Sequence, residues 1–76
     1  MKEVIPEKVK ITTEYITLGQ LIKFVGLIDN GALAKIFIAN NKCFVNGTIC
    51  TQRGKKLYPG FLISINGSLF FEITKW

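Results

Sequence analysis

The cationic side chains of this 76-residue chain are concentrated in its middle. Residues 30–71 include no Asp or Glu, and the charges outside them balance, so the whole net charge of +5 lies in this segment. Surfaces without a binding role usually mix both signs. The segregation therefore favours contact with an anion, such as nucleic-acid phosphate or an anionic membrane surface. The cations are Lys35, Lys42, Arg53, Lys55 and Lys56.

Arg53 is the member of this group best suited to a specific contact. Its guanidinium can form two parallel hydrogen bonds to a phosphate or a base, whereas a lysine cannot. Lys55 and Lys56 would add diffuse attraction. For each single lysine a solvated surface is the ordinary interpretation, and the residues alone leave both interpretations open.

Uncharged residues extend the set of candidate contacts. Gly31 stands at a predicted helix start, where free N–H groups favour an anion, and Asn46 lies in a predicted turn, chiefly as a structural residue. Tyr58 follows the basic cluster; its polar hydroxyl favours a position at the edge of the core, and stacking on a base is the alternative interpretation. The candidate nucleic-acid contacts are Lys23, Asn30, Gly31, Lys35, Lys42, Asn46, Arg53, Lys55, Lys56 and Tyr58.

Catalytic groupings are not found in the sequence. There is no His, Cys43 and Cys50 have no obvious base, and the carboxylates are scattered, although acid–base and nucleophilic catalysis need such groups in pairs. No Gly-rich phosphate loop or metal-ligand cluster is present. We therefore expect no enzymatic activity, cofactor or small-molecule substrate, and we expect both cysteines to be reduced.

Two short helices are predicted to position the candidate residues. Thr17 and Gln20 form a capping box, followed by an apolar stripe at i, i+3, i+4 and i+7 that ends near Gly26. A second helix is predicted over 32–39, capped by Asn30, with Leu33, Ile36 and Phe37 on its apolar side. We expect it to end at 40–42, because Asn tolerates the left-handed conformation.

Strands are predicted on either side of the helices. Residues 9–16 are typical of a short strand or extended arm. Asn-Gly pairs at 46–47 and 66–67 predict tight hairpins, and 58–60 predicts a further turn before a strand over 61–65. The prediction is one domain over 1–76 with an α+β fold, in which two short helices pack on a small twisted antiparallel sheet. The phenylalanines are expected in the core: Phe24, Phe37, Phe44, Phe61, Phe70 and Phe71.

The order and spacing of these motifs over about 12–65 resemble the S-four RNA-binding domain, named after the fourth protein of the small ribosomal subunit. The motifs are QLIKF (20–24), NGALAK (30–35), VNG (45–47), KL (56–57), PG (59–60) and ISI (63–65). Residues 11–20 and 53–57 look most like its small stand-alone bacterial group, YaaA.

The resemblance implies that the helix pair and the adjoining sheet form a face for structured RNA. It further implies ribosomal RNA or a ribosomal subunit as partner, and a role in ribosome assembly. The chain departs from the family pattern at three places. Asn30 replaces a common Ser and keeps the capping chemistry, Phe61 replaces a common Asp, and Lys35 is the one cation of the second helix.

The sequence also bears on classes of protein other than RNA-binding proteins. The main alternative is a protein-docking module without nucleic-acid binding. A ubiquitin-like sulfur carrier would need a C-terminal Gly-Gly, whereas this chain ends Thr74-Lys75-Trp76. No apolar run is long enough to cross a bilayer, residues 1–6 lack a secretory signal, and the first helix, with Lys23 alone, does not suit a membrane surface. We expect a cytoplasmic monomer.

Overall fold

The computed structural model describes residues 5–76, so the prediction about a secretory signal, which rests on residues 1–6, falls mostly outside the described residues. The helices are α1 (Leu18–Phe24) and α2 (Ala34–Asn40), the second entered through a 3-10 turn at Gly31–Leu33. The strands are β1 (Glu7–Ile11), β2 (Ile16–Thr17), β3 (Cys43–Val45), β4 (Thr48–Ile49), β5 (Lys56–Leu57), β6 (Leu62–Ile65) and β7 (Leu69–Lys75). Within 5–76 no helix has the length and apolarity that a membrane crossing requires.

The strands form one sheet of five and a separate ribbon of two. The sheet order is β1-β7-β6-β3-β4, and β2 pairs with β5 in the ribbon. Strands β3, β4, β6 and β7 pair antiparallel, whereas β1 runs parallel to β7 with Glu7 beside Phe71. A parallel pair needs a long connection, and here the connection is most of the chain. The α+β class is confirmed, and the sheet is mixed rather than wholly antiparallel.

The turns follow the chemistry of their residues. Asn46 and Gly47 have φ of 52° and 84°, and Asn66 and Gly67 have φ of 55° and 67°, the positive values that a type I′ hairpin requires. The predicted strand over 9–16 is divided into β1 and β2 by a bend. In that bend the Thr13 hydroxyl donates to the Tyr15 carbonyl at 2.8 Å.

The core lies between one face of the five-stranded sheet and the two helices. The sheet contributes residues that alternate along its strands, such as Val9, Ile63 and Ile73, each 1% exposed or less. Helix α1 contributes the predicted stripe, in which Leu18, Leu21 and Ile22 are buried and Val25 is partly buried.

The prediction that Leu33, Ile36 and Phe37 form the buried side of α2 is wrong. The helix buries Ala34 and Ile38, whereas Ile36 is 59% exposed and Leu33 is also exposed. The prediction assumed a regular helix over 32–39, but the chain enters α2 through the 3-10 turn. Because α2 has apolar residues on more than one side, the sequence pattern does not decide which side is buried; the stripe of Ala34, Phe37 and Ile38 faces the core instead. Phe37 alone of the predicted side packs against the core, and it does so partly.

Two further details differ from expectation. Phe24 is 66% exposed because it lies one turn after the exposed Gln20, away from the buried stripe of α1. Phe71 is buried, and the other phenylalanines are partly buried. Helix α2 does not end in a left-handed residue, since Asn41 has an extended φ of −133°. Instead the Asn41 side-chain amide donates to the Phe37 carbonyl at 2.9 Å, which satisfies a carbonyl that the end of the helix leaves free.

The corrected orientation of α2 can be tested with two isoleucines of the same helix. Ile38→Ala should lower the free energy of unfolding by about 2–5 kcal/mol, because it opens a cavity in the core. Ile36→Ala should change it by less than about 0.5 kcal/mol, because the side chain is exposed. Urea unfolding measures both. A larger loss of stability for Ile36→Ala than for Ile38→Ala would support the apolar side that the sequence predicted.

Candidate nucleic-acid interface

The loop between β4 and β5, residues 50–55, is fastened to the beginning of α1. The first N–H groups of a helix have no partner within the helix. Here the Leu18 N–H donates to the Lys55 carbonyl at 3.0 Å, and the Gly19 N–H donates to the Arg53 carbonyl at 2.8 Å. Two orphan donors of α1 thus hold the backbone of two predicted contact residues. We call residues 50–55 the basic loop.

The capping box at the same helix end is confirmed. The Gln20 N–H donates to the Thr17 hydroxyl at 3.3 Å, and the Thr17 N–H donates to the Gln20 side-chain oxygen at 3.0 Å. Strand pairing adds a further restraint, because Thr17 lies opposite Lys56 in the ribbon. The start of α1 and the end of the basic loop therefore form one hydrogen-bonded unit.

Gly19 allows the basic loop and α2 to approach α1 closely. A Cβ at this position would lie 3.3 Å from both the Arg53 carbonyl oxygen and the Ala34 Cβ. Sequence reasoning missed Gly19 as a residue of the site. The available signal was a glycine in the first turn of a predicted helix, where its low helix propensity is a cost that calls for a packing reason.

Two other predicted cations, Lys23 and Lys35, line the same depressions as Arg53. A groove of about 400 Å³ lies between α1, the 3-10 turn and the basic loop, and it is lined in part by Lys23, Gly31 and Arg53. Arg53 also lines a second depression, together with Lys35 and the rest of residues 51–54. We call these two depressions together the Arg53 groove. Arg53 thus shares one depression with Lys23 and the other with Lys35.

The remaining predicted cations lie elsewhere around the loop. Lys55 lines a different concave surface with Asn46. Lys56 extends over the Tyr15 ring, with Nζ 5.0 Å from the centroid. Lys42 is not among the residues that line the Arg53 groove. Its N–H donates to the Asn66 side chain at 2.8 Å and its carbonyl accepts from the Asn66 N–H at 2.7 Å.

The two predicted asparagine contacts both have structural hydrogen bonds. The Asn30 side-chain oxygen accepts from the Ala32 N–H at 3.0 Å, which caps the 3-10 turn as predicted. The Asn46 side-chain oxygen accepts from the Leu62 N–H at 2.9 Å, and the Asn46 N–H donates to the Leu62 carbonyl at 2.7 Å. These bonds join the β3–β4 turn to β6. Their part in ligand contact stays a prediction.

The two cysteines are free thiols that face each other across the β3–β4 hairpin. The Cys50 N–H donates to the Cys43 carbonyl at 2.8 Å. Burial raises the pKa of the Cys43 thiol, and the neighbouring Cys50 raises this pKa further. A thiol of raised pKa is protonated at neutral pH and is therefore a poor nucleophile.

A comparison with protein families identifies the fold. A family model described as "S4 domain" matches residues 9–71. The chain belongs to the S4 domain family. This confirms the S-four resemblance, and the S4 match includes both helices, the ribbon and the basic loop. The chain is also similar to a protein of Bacillus subtilis (strain 168) named "Probable ribosome maturation protein RlbA", with 38% identity over 66 residues. The alignment covers 87% of this chain and 93% of that protein.

The close approach at Gly19 predicts different effects for two glycine substitutions. Gly19→Leu should lower the free energy of unfolding by about 1–3 kcal/mol, because the side chain would force the basic loop and α2 away from α1. Gly54→Leu, in the same loop region, meets open space and should cost less than about 0.5 kcal/mol. Thermal and urea unfolding compare the two, and equal effects would show that no close packing exists at Gly19.

The raised pKa of Cys43 predicts a loss of stability in alkali. Where the pH lies between the pKa of the unfolded thiol, about 9.0, and the higher folded value, the folded protein binds more protons, so stability falls as the pH rises. The variant Cys43→Ala lacks this thiol, so its free energy of unfolding should decline less steeply above about pH 9 than that of the wild type. Urea unfolding from about pH 7 to 10 measures the two slopes. Equal slopes would exclude the contribution.

Proposed function

We propose that this S4 domain chain is a non-catalytic RNA-binding protein that contacts folded ribosomal RNA through the Arg53 groove and takes part in ribosome maturation. One observation carries the proposal: the Gly19 N–H holds the backbone of Arg53 through its carbonyl, and Arg53 lines one depression with Lys23 and another with Lys35. Membership of the S4 domain family and the name of the Bacillus subtilis relative support the choice of ligand and process.

The arrangement suits the backbone of folded RNA. In such RNA the accessible features are phosphates and 2′-hydroxyls, and contacts to phosphates set the position of the protein on the RNA. The Arg53 guanidinium would bind one phosphate through two hydrogen bonds. Lys23 and Lys35 would contact the adjacent phosphates. Because the loop backbone is already fixed, binding would lose little conformational entropy there.

The electrostatic part of the proposal gives a definite salt dependence. Residues 30–71 contain no carboxylate, so the phosphates would meet attraction along the whole segment. If about four phosphates are neutralised, the logarithm of the binding constant should fall with the logarithm of salt concentration at a slope of about −3 to −4.

The proposal extends to the setting in which the protein acts. We place it in the cytoplasm as a monomer that needs no cofactor, small-molecule substrate or membrane. The raised pKa of Cys43 favours an inert thiol there, which agrees with a binding role. The side chains of the Arg53 groove that carry charge are cations, which bind phosphate without transferring a group.

A second candidate function rests on exposed apolar side chains of the helix pair. Phe24 and Ile36 are more than half exposed, and such residues can anchor a protein partner. The salt dependence separates the two candidates. Docking through these residues would persist in high salt and survive reversal of the Arg53 charge, while phosphate contact would not.

Charge reversal at two exposed sites tests the RNA-binding proposal. Arg53→Glu should weaken binding to ribosomal RNA by about 10- to 100-fold, because a charge-assisted hydrogen bond is lost and a repulsion is added. Lys8→Glu makes the same change of net charge on β1, opposite Glu72 in the sheet, and should weaken binding much less. Filter binding at two salt concentrations measures both. Equal losses would indicate attraction by net charge alone, and unchanged binding in both variants would favour protein docking.

A further inference from the structure

The outer face of the β2–β5 ribbon presents a pair of tyrosines beside the basic loop. Ile16 lies opposite Leu57, and Thr17 lies opposite Lys56, so the next residues, Tyr15 and Tyr58, face each other. Their ring centroids are 5.7 Å apart, with planes inclined by 52°. Because side chains alternate along strands, the burial of Leu57 against the core puts its neighbours Lys56 and Tyr58 on the outer face.

The tyrosine pair belongs to a longer aromatic row that carries a cation. The Tyr58 ring meets the Phe61 ring edge-on, with centroids 5.8 Å apart. At the other end, the Lys56 ammonium lies 5.0 Å from the Tyr15 centroid, close enough for a cation–π interaction. Phe61 is partly buried and packs against the core, so it supports Tyr58 from within. Tyr58 is 37% exposed.

The row continues from the Arg53 groove. Thr17, on β2, lines that groove. Lys56, which pairs with Thr17, directly follows Lys55, whose carbonyl accepts the Leu18 N–H. A chain of phosphates in the groove would therefore lead onto the ribbon, where an aromatic ring beside an ammonium offers a base a stacking surface and a phosphate a counter-charge. This combination is how proteins hold single-stranded nucleic acid.

We propose that an unpaired nucleotide, next to the phosphates bound in the Arg53 groove, stacks its base on Tyr58 and places its phosphate near Lys56. This inference rests on the proposed RNA-binding function and adds to it a preference for RNA that has an unpaired nucleotide. Stacking accepts every base, because each has an aromatic face. The ribbon therefore selects RNA with an unpaired nucleotide beside folded structure, without reading its sequence.

The test compares three synthetic RNAs with one hairpin in common. The first ends in a short uridine tail, the second is blunt, and the third has an abasic ribose-phosphate tail of the same length. The wild-type protein should bind the uridine-tailed hairpin about ten-fold more tightly than the abasic one, since both offer the same phosphates. In Tyr58→Ala this preference should disappear, and in Tyr58→Phe it should remain.

A spectroscopic variant keeps the test independent of the stability of Tyr58→Ala. A protein with Tyr58→Trp and Trp76→Phe has one tryptophan, on the proposed stacking surface. Its fluorescence should be quenched by the uridine tail and much less by the abasic tail. Equal quenching by both tails, or equal binding of both tails by the wild type, would overturn the inference.

The outcome for Arg53 separates this inference from the function on which it rests. If Arg53→Glu weakens binding of all three RNAs while the tails are not distinguished, RNA binding holds and the stacking site fails. If no hairpin binds in a salt-dependent manner, or if Arg53→Glu has no effect on any of them, the proposed function fails as well.

Discussion

The hydrogen bonds from the start of α1 to the basic loop are the constraint on which the candidate site depends. A helix begins with N–H groups that it cannot satisfy itself, and in this protein the carbonyls of Arg53 and Lys55 accept two of them. The same helix end is closed by the Thr17–Gln20 capping box. The backbone of a loop without regular structure is therefore attached to α1 at two points, and its cationic side chains extend from there into solvent.

Close packing at Gly19 makes these hydrogen bonds possible. The Gly19 Cα passes so near to Arg53 and Ala34 that a Cβ would be in tight contact with both. This contact joins three parts of the chain: α1, α2 and the basic loop. The Arg53 groove is formed where they meet, so its shape follows from backbone packing and its charge follows from three side chains, Lys23, Lys35 and Arg53.

The rest of the fold supports the helices and the basic loop that form the Arg53 groove. Strands β1 and β7 pair in parallel near the two ends of the chain, and the face of the five-stranded sheet that carries Ile63 and Ile73 closes the core beneath the helices. In the ribbon, Leu57 is fully buried, while its neighbour Lys56 is exposed directly after the basic loop. One short strand, β5, therefore contributes to both the core and the surface.

The sequence by itself determined the local features of this protein. The capping box, the two Asn-Gly turns and the stripe of α1 follow from interactions between residues close in the chain, and the ordered set of motifs was enough to indicate the S4 domain family. The concentration of positive charge in residues 30–71 likewise follows from the order of residues in the chain.

Only the tertiary structure decided which of these residues act together. The parallel pairing of β1 with β7 joins distant segments, and packing against the core selects the face of α2 that is buried, because that helix has apolar residues on more than one side. The grouping of Lys23, Lys35 and Arg53, and the facing of Tyr15 and Tyr58, join residues far apart in the chain. Local patterns carry no information about such neighbours, because burial and backbone packing across the whole domain set their positions.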